Sequence, residues 1–167
     1  MGMKKKLFVD YDVCSRCERC DVRCSYIFHP ENNGITSIRE IVAFLFVCRR
    51  CDDYPCVHAC PNNALERKDS IIKRSNFLCI SCKSCGLACP FGTIEIEWLD
   101  YLTSMCDVCA GARIDESDRF SCVKSCSHGA LKIVDEDLFM EEKNIYRIGE
   151  NIIVKAVSWV ELYELKK

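Results

Sequence analysis

Cys79-Ile80-Ser81-Cys82-Lys83-Ser84-Cys85-Gly86-Leu87-Ala88-Cys89-Pro90 is the stretch whose spacing decides the fold. Two residues separate each of its first three cysteines, and three separate the third from the fourth. A 4Fe–4S cube needs one thiolate on each of four irons. Three thiolates at this spacing wrap a tight loop around three corners, and the fourth has by then turned away toward a neighbouring cube. The proline behind Cys89 fixes its own φ and offers no N–H, which favours a sharp change of direction after the ligand.

Working outward, Cys14, Cys17, Cys20 and Cys24 repeat this spacing. Cys48, Cys51, Cys56 and Cys60 stretch the middle gap by two residues and are followed by Pro61. Cys106, Cys109, Cys122 and Cys126 place twelve residues in that gap but keep CxxC before it and CxxxC after. The 16 cysteines of this 167-residue chain therefore fall into four sets of four with none left over, an internal repeat with variable connectors. Ser25 and Ser127 stand where the first and fourth sets would have proline.

Other cysteine chemistry fits less well. Structural zinc takes four ligands as two CxxC-like pairs and has no use for a third cysteine two residues on. The fourth set alone has the spacing of a zinc knuckle, so zinc stays open there. Eight disulfides require an oxidising compartment. The basic start (Met1 to Lys6) meets Asp10 and Asp12 after three apolar residues, with no signal-peptide core and no twin arginine, so the expected location is cytoplasmic. The longest run of apolar residues before Cys48 is 41–47, too short to span a membrane. A formal charge of -2 gives no basic face for nucleic acid, and neither GxGxxG nor GxxxxGK[ST] is present. The 49% apolar fraction includes the cysteines, so the core is lean and the ligands should help to hold the fold.

Between the sets, residues 7–9 (LFV) read as a strand and 28–34 (FHPENNG) as turn chemistry. Ser37 is a candidate cap for a short helix or strand reaching residue 46. Residues 64–67 and 70–73 flank Lys68-Asp69 as a β-hairpin. Residues 93–97 (TIEIE) alternate as a half-buried strand should, and 130–134 repeat the pattern. The tail offers strands at 145–148 and 152–157 and a helical segment at 160–165. Short β-hairpins and small helices alternating with four-cysteine loops predict an α+β fold built from two bacterial-ferredoxin-like dicluster units.

At these residues the chain resembles the four-cluster electron-transfer subunits of formate dehydrogenases, molybdopterin and tungsten oxidoreductases, hydrogenases and carbon monoxide dehydrogenase systems. The resemblance covers residues 8–134. It is most specific at Cys48-Arg49-Arg50-Cys51-Asp52-Asp53-Tyr54-Pro55-Cys56 with Cys60-Pro61, and from Cys79 to Gly92. It implies four 4Fe–4S clusters with cross-ligation: Cys14, Cys17, Cys20 with Cys126; Cys106, Cys109, Cys122 with Cys24; Cys48, Cys51, Cys56 with Cys89; and Cys79, Cys82, Cys85 with Cys60. It implies an inner unit, 40–98, enclosed by an outer unit, 1–39 plus 99–167. It further implies a non-catalytic subunit of anaerobic metabolism relaying single electrons between a catalytic oxidoreductase subunit and a redox partner. The chain has no long C-terminal extension or anchor of the kind some periplasmic members carry, which favours a soluble hetero-oligomeric complex. A free-standing polyferredoxin and a zinc-binding interaction module are the alternatives.

Arg16, Arg19, Arg23, Arg49, Arg50, Lys83 and Lys124 lie near the anionic sets, either as solvated surface or as residues that tune potentials or dock a partner. His29, His58 and His128 read as surface or turn residues, because sixteen cysteines already fill the ligand positions. Trp98, Trp159, Tyr101 and Phe91 read as core or interface packing. No Ser/His/Asp arrangement or paired acid suggests substrate chemistry.

Overall fold

A computed structural model describes residues 5–18, 20–24, 34–69, 71–96, 99, 106, 120–135, 143–148 and 150–159. The chain opens with β1 (Lys5–Asp10) and a single helical turn, α1 (Tyr11–Cys14). The Asp10 carboxylate starts that turn by accepting from the Val13 N–H at 3.2 Å. Next comes α2 (Gly34–Val42), which runs directly into one π-helical turn, Ala43–Val47. The short helix α3 (Pro55–His58) precedes a hairpin of β2 (Leu65–Lys68) and β3 (Ile71–Arg74). Then follow α4 (Ser84–Ala88), α5 (Ser121–Ser125), β4 (Leu131–Asp135), β5 (Ile145–Arg147) and β6 (Ile152–Lys155).

Two sheets result. The larger has the order β4-β1-β6-β5, and the smaller is the β2-β3 hairpin. β1 pairs antiparallel with β4 and parallel with β6, while β5 and β6 are antiparallel. Side chains alternate across a strand, and both faces of the central pair are apolar. Leu7, Val9, Ile152 and Val154 join one core with Leu131, while Phe8 and Ile153 join another with Val134 and Ile145. Each fully buried aliphatic side chain contributes roughly 1.5–3 kcal/mol, so this doubly covered sheet compensates for the lean composition. The tail strands expected at 145–148 and 152–157 form, each ending slightly early.

α2 lies between two cores. Ile35, Ile38 and Val42 enter the one on the large sheet, whereas Phe44, just beyond the helix, enters a second core with Leu65, Ile72, Cys85, Ile94 and Leu99. The π turn supplies the change of direction: the Cys48 N–H donates to Ala43 O, five residues back, at 2.8 Å. Phe46 packs on Tyr146 with ring centroids 4.5 Å apart.

The α+β class and the hairpin at 65–74 agree with the sequence reading. Two expectations do not. Ser37 is no cap: the helix begins at Gly34, and Ser37 is buried inside it, its Oγ accepting from the Cys106 N–H at 2.9 Å. Residues 93–97 do not form the expected strand over the described part, 93–96. Their backbone is committed elsewhere: the Thr93 N–H donates to Cys89 Sγ, and Ile94 O presses so close to Gly86 that a Cβ there would lie 3.2 Å away. The Glu95 carboxylate pairs with Arg39 at 2.8 Å. Alternation alone does not make a strand when the polar groups of the segment are committed to other partners. The turn at 28–33, the helical segment at 160–165 and the side chains of Arg19, Ser25, His29, Trp98, Tyr101 and Cys109 lie outside the described residues.

Candidate metal centres

Two of the β-ladders each bring two sequence-distant cysteines together. In the hairpin, Leu65 faces Arg74. Cys60 lies five residues before Leu65 and Cys79 five residues after Arg74, and the ladder's direction is continued by a Ser75 N–H to Ala64 O bond of 2.7 Å. The β1–β4 ladder repeats the arrangement. Val9 faces Leu131, Cys14 lies five residues after Val9, Cys126 lies five before Leu131, and the Asp10 N–H donates to Ala130 O at 2.8 Å.

Around these meetings the thiols gather into sets. Cys48, Cys51, Cys56 and Cys89 line one cavity with Phe44, Tyr54 and Ile94. Cys60, Cys79, Cys82 and Cys85 line a second with Leu65, Arg74 and Leu99. Burial pushes the Cys14 thiol up to about 12; Arg39 opposes the rise, and neighbouring Cys20, Cys17 and Cys126 add to it. Cys106 and Cys122 pack against the same core as Cys20 and Cys126. The loop that ends at Cys24 is tied to α5 by the Arg23 N–H, which donates to Ser125 Oγ at 2.8 Å.

The turn after the last cysteine is shared by the second, third and fourth sets. Asn63, Gly92 and Gly129 each stand three residues beyond Cys60, Cys89 and Cys126, and all three have positive φ, at 51°, 63° and 65°. Each donates its N–H back to that cysteine's carbonyl oxygen, at 3.4, 3.3 and 3.1 Å. One residue further, the N–H groups of Ala64 and Thr93 donate to Cys60 Sγ and Cys89 Sγ at 3.2 and 3.4 Å. The fourth set thus makes this turn without the proline, with Gly129 as its left-handed residue.

Donor chemistry and electrostatics fit a cationic cluster. Burial pushes Cys56 up to about 11, and the neighbouring Cys48 and Cys89 raise it further. Binding of a positive metal by such thiols would release protons. Burial also acts to raise Cys89, but the backbone N–H groups of Phe91, Thr93 and Ile94 bring it below its ordinary value, and such donors stabilise anionic sulfur. Among the described residues, no three His, Cys, Asp or Glu side chains converge on the position of a single ion. The cysteines instead stand around cavities.

His58 and His128 are exposed, as expected for surface residues. Phe91 and Trp159 stay out of the core, at 58% and 37% exposure, and both flank the Arg49 guanidinium, 5.7 and 3.0 Å from their ring centres. Sequence reasoning missed Ser37, Arg39, Glu40, Arg74 and Glu95. Their signal was faint: Ser37, Arg39 and Glu40 sit in one buried helix beside an apolar run.

The family described as 4Fe-4S dicluster domain matches residues 40–136. An uncharacterized ferredoxin of Methanocaldococcus jannaschii is 34% identical over 139 residues, covering 81% of this chain and 75% of its own. Formate hydrogenlyase subunit 2 of Escherichia coli (strain K12) is 28% identical over 174 residues, covering 80% of this chain and 83% of its own. AegA of the same strain, named as an oxidoreductase, is 29% identical over 153 residues; the match covers 80% of this chain but only 22% of that longer protein.

A prediction follows for the turn. Gly129→Ala must place a Cβ in left-handed backbone, which costs about 1–2 kcal/mol, whereas Gly129→Asn copies the residue at the equivalent position 63. Thermal unfolding of the anaerobically purified protein should rank wild type above Gly129→Asn and that above Gly129→Ala. Equal loss in the two variants would contradict the shared turn.

Proposed function

The chain belongs to the 4Fe–4S dicluster family, and from that premise we propose that it carries four 4Fe–4S clusters as the electron-transfer subunit of an oxidoreductase complex. The ligand sets are those the resemblance implies: Cys14, Cys17, Cys20 and Cys126; Cys106, Cys109, Cys122 and Cys24; Cys48, Cys51, Cys56 and Cys89; Cys79, Cys82, Cys85 and Cys60. The observation that carries this reading is the pair of cavities, each lined by four cysteines drawn from two sequence-distant sets. Bound clusters supply one-electron chemistry at potentials set by hydrogen bonds to sulfur, nearby charge and burial. The chain's own residues hold the ligands in place, exclude water from the buried thiols and aim backbone N–H groups at sulfur.

The division into an inner unit at 40–98 and an outer unit at 1–39 plus 99–167 is supported by the strands. The hairpin lies within the first, and all four strands of the large sheet lie within the second. Among the described residues, no helix is long and apolar enough to cross a membrane. A bound partner subunit is supported by exposed apolar side chains beside the ligands. Phe77, Leu78, Ile80 and Leu87 are 101%, 50%, 60% and 76% exposed and lie on the loop and helix that carry Cys79, Cys82 and Cys85. Residues 75–82 contain no charge. An uncharged apolar rim suits a lasting interface better than a brief, electrostatically steered encounter. Formate hydrogenlyase subunit 2, by its name a component of such a complex, points to a catalytic oxidoreductase subunit as that partner.

Anaerobically purified protein should contain about 16 iron and about 16 acid-labile sulfide per chain. Stoichiometric zinc without sulfide would establish a zinc-binding interaction module instead. From its native host, the chain should co-elute with an oxidoreductase subunit identified by mass spectrometry. Phe77→Asp should release that subunit at unchanged iron content. A wild-type chain that elutes alone would favour a free-standing polyferredoxin.

A further inference from the structure

We propose that the buried Arg74–Glu40 pair sets the reduction potential at Cys60, Cys79, Cys82 and Cys85, with Arg74 as a positioning residue for charge at the ligand sulfur. This rests on the reading that those four cysteines hold a cluster. Arg74 ends β3, and its side chain is 1% exposed. Its Nε and Nη2 donate to Glu40 Oε1 and Oε2, each at 2.6 Å, in a two-pronged fork. The same residue lines the cavity of the four cysteines, and Cys79 is, after Glu40, among the neighbours that favour its charge. Glu40 comes from a different element, α2, and its side chain is 11% exposed.

Arginine stays protonated in proteins, so this charge is permanent. Away from water it acts on nearby sulfur with little screening. A fixed cation beside Cys79 stabilises the added electron and raises the potential. The carboxylate, which reaches Arg74 from another element, moderates that effect. The arrangement is therefore an oriented charge pair, with its positive end at the ligand.

A tie between β3 and α2 needs no ions. Apolar side chains of similar volume in place of a buried ion pair often give equal or greater stability. The place of Arg74 in the lining of the four-cysteine cavity gives the charge a redox role beyond that tie. Arg49, which lines the other four-cysteine cavity, instead stacks over exposed Trp159. The Arg39–Glu95 pair, one residue earlier on α2, lies beside Cys14 and serves as a control.

The test is a redox titration followed by electron paramagnetic resonance on the anaerobically purified full chain. The relevant signal is the one lost in Cys82→Ala. Glu40→Gln removes the moderating carboxylate and should raise that signal's midpoint. The reduced-to-oxidised ratio at fixed potential should change at least tenfold, or about 59 mV for one electron. The double variant Glu40→Gln/Arg74→Gln keeps two hydrogen-bonding amides and strands no charge, so it covers the case in which the single variant fails to fold. It should shift the same midpoint below wild type. Glu95→Gln should leave that midpoint unchanged. Variants that load iron normally and titrate like wild type would make the pair purely structural and overturn the proposal. A wild-type protein without any 4Fe–4S signal would overturn the cofactor reading beneath it.

Discussion

Antiparallel register is the constraint on which the remaining structure depends. A ladder in which Leu65 faces Arg74 carries Cys60 and Cys79 to the same end of the hairpin. A ladder in which Val9 faces Leu131 does the same for Cys14 and Cys126 across more than a hundred residues of sequence. Shifting either strand by one residue would turn each of its side chains to the opposite face. In the large sheet the apolar residues of β1 that fix the register are Leu7 and Val9 on one face and Phe8 on the other. Hydrophobic packing thereby decides which thiols meet, and ligand geometry is a consequence of core geometry.

The dependence runs in both directions. Thiols crowded into buried sites favour their protonated form, as at Cys14 and Cys56. On the proposed reading, metal arriving there would replace protons and join loops that are distant in sequence, making folding and cofactor assembly one process. α2 occupies the middle of this arrangement. One side of it closes the core on the large sheet, Ser37 holds the backbone of Cys106, and Arg39 and Glu40 form ion pairs next to two different cysteine sets.

The grouping of the cysteines, the α+β class, β1, the hairpin and β4 were all legible, because ligand spacing and short apolar alternation are local signals. What escaped was set by tertiary competition. The alternating Thr93-Ile94-Glu95-Ile96 looked like a strand, yet its N–H and carboxylate groups are used by Cys89 and Arg39. Ser37 looked like a boundary residue, because a buried hydroxyl accepting from position 106 leaves no trace in neighbouring sequence. Ser127 stands where the second and third sets have proline, yet the turn after Cys126 is the same, with Gly129 in the left-handed position that Asn63 and Gly92 take in those sets.

The proposed sharing of one cluster by Cys14 and Cys126 is central, since it would join the two ends of the motif-bearing chain. Iron analysis and electron paramagnetic resonance of Cys14→Ala, Cys126→Ala and the double variant test it most directly. The account predicts that both single variants lose the same cluster, about four irons, and that the double variant loses no more. A double variant lacking two clusters, with different signals missing from the two single variants, would contradict it.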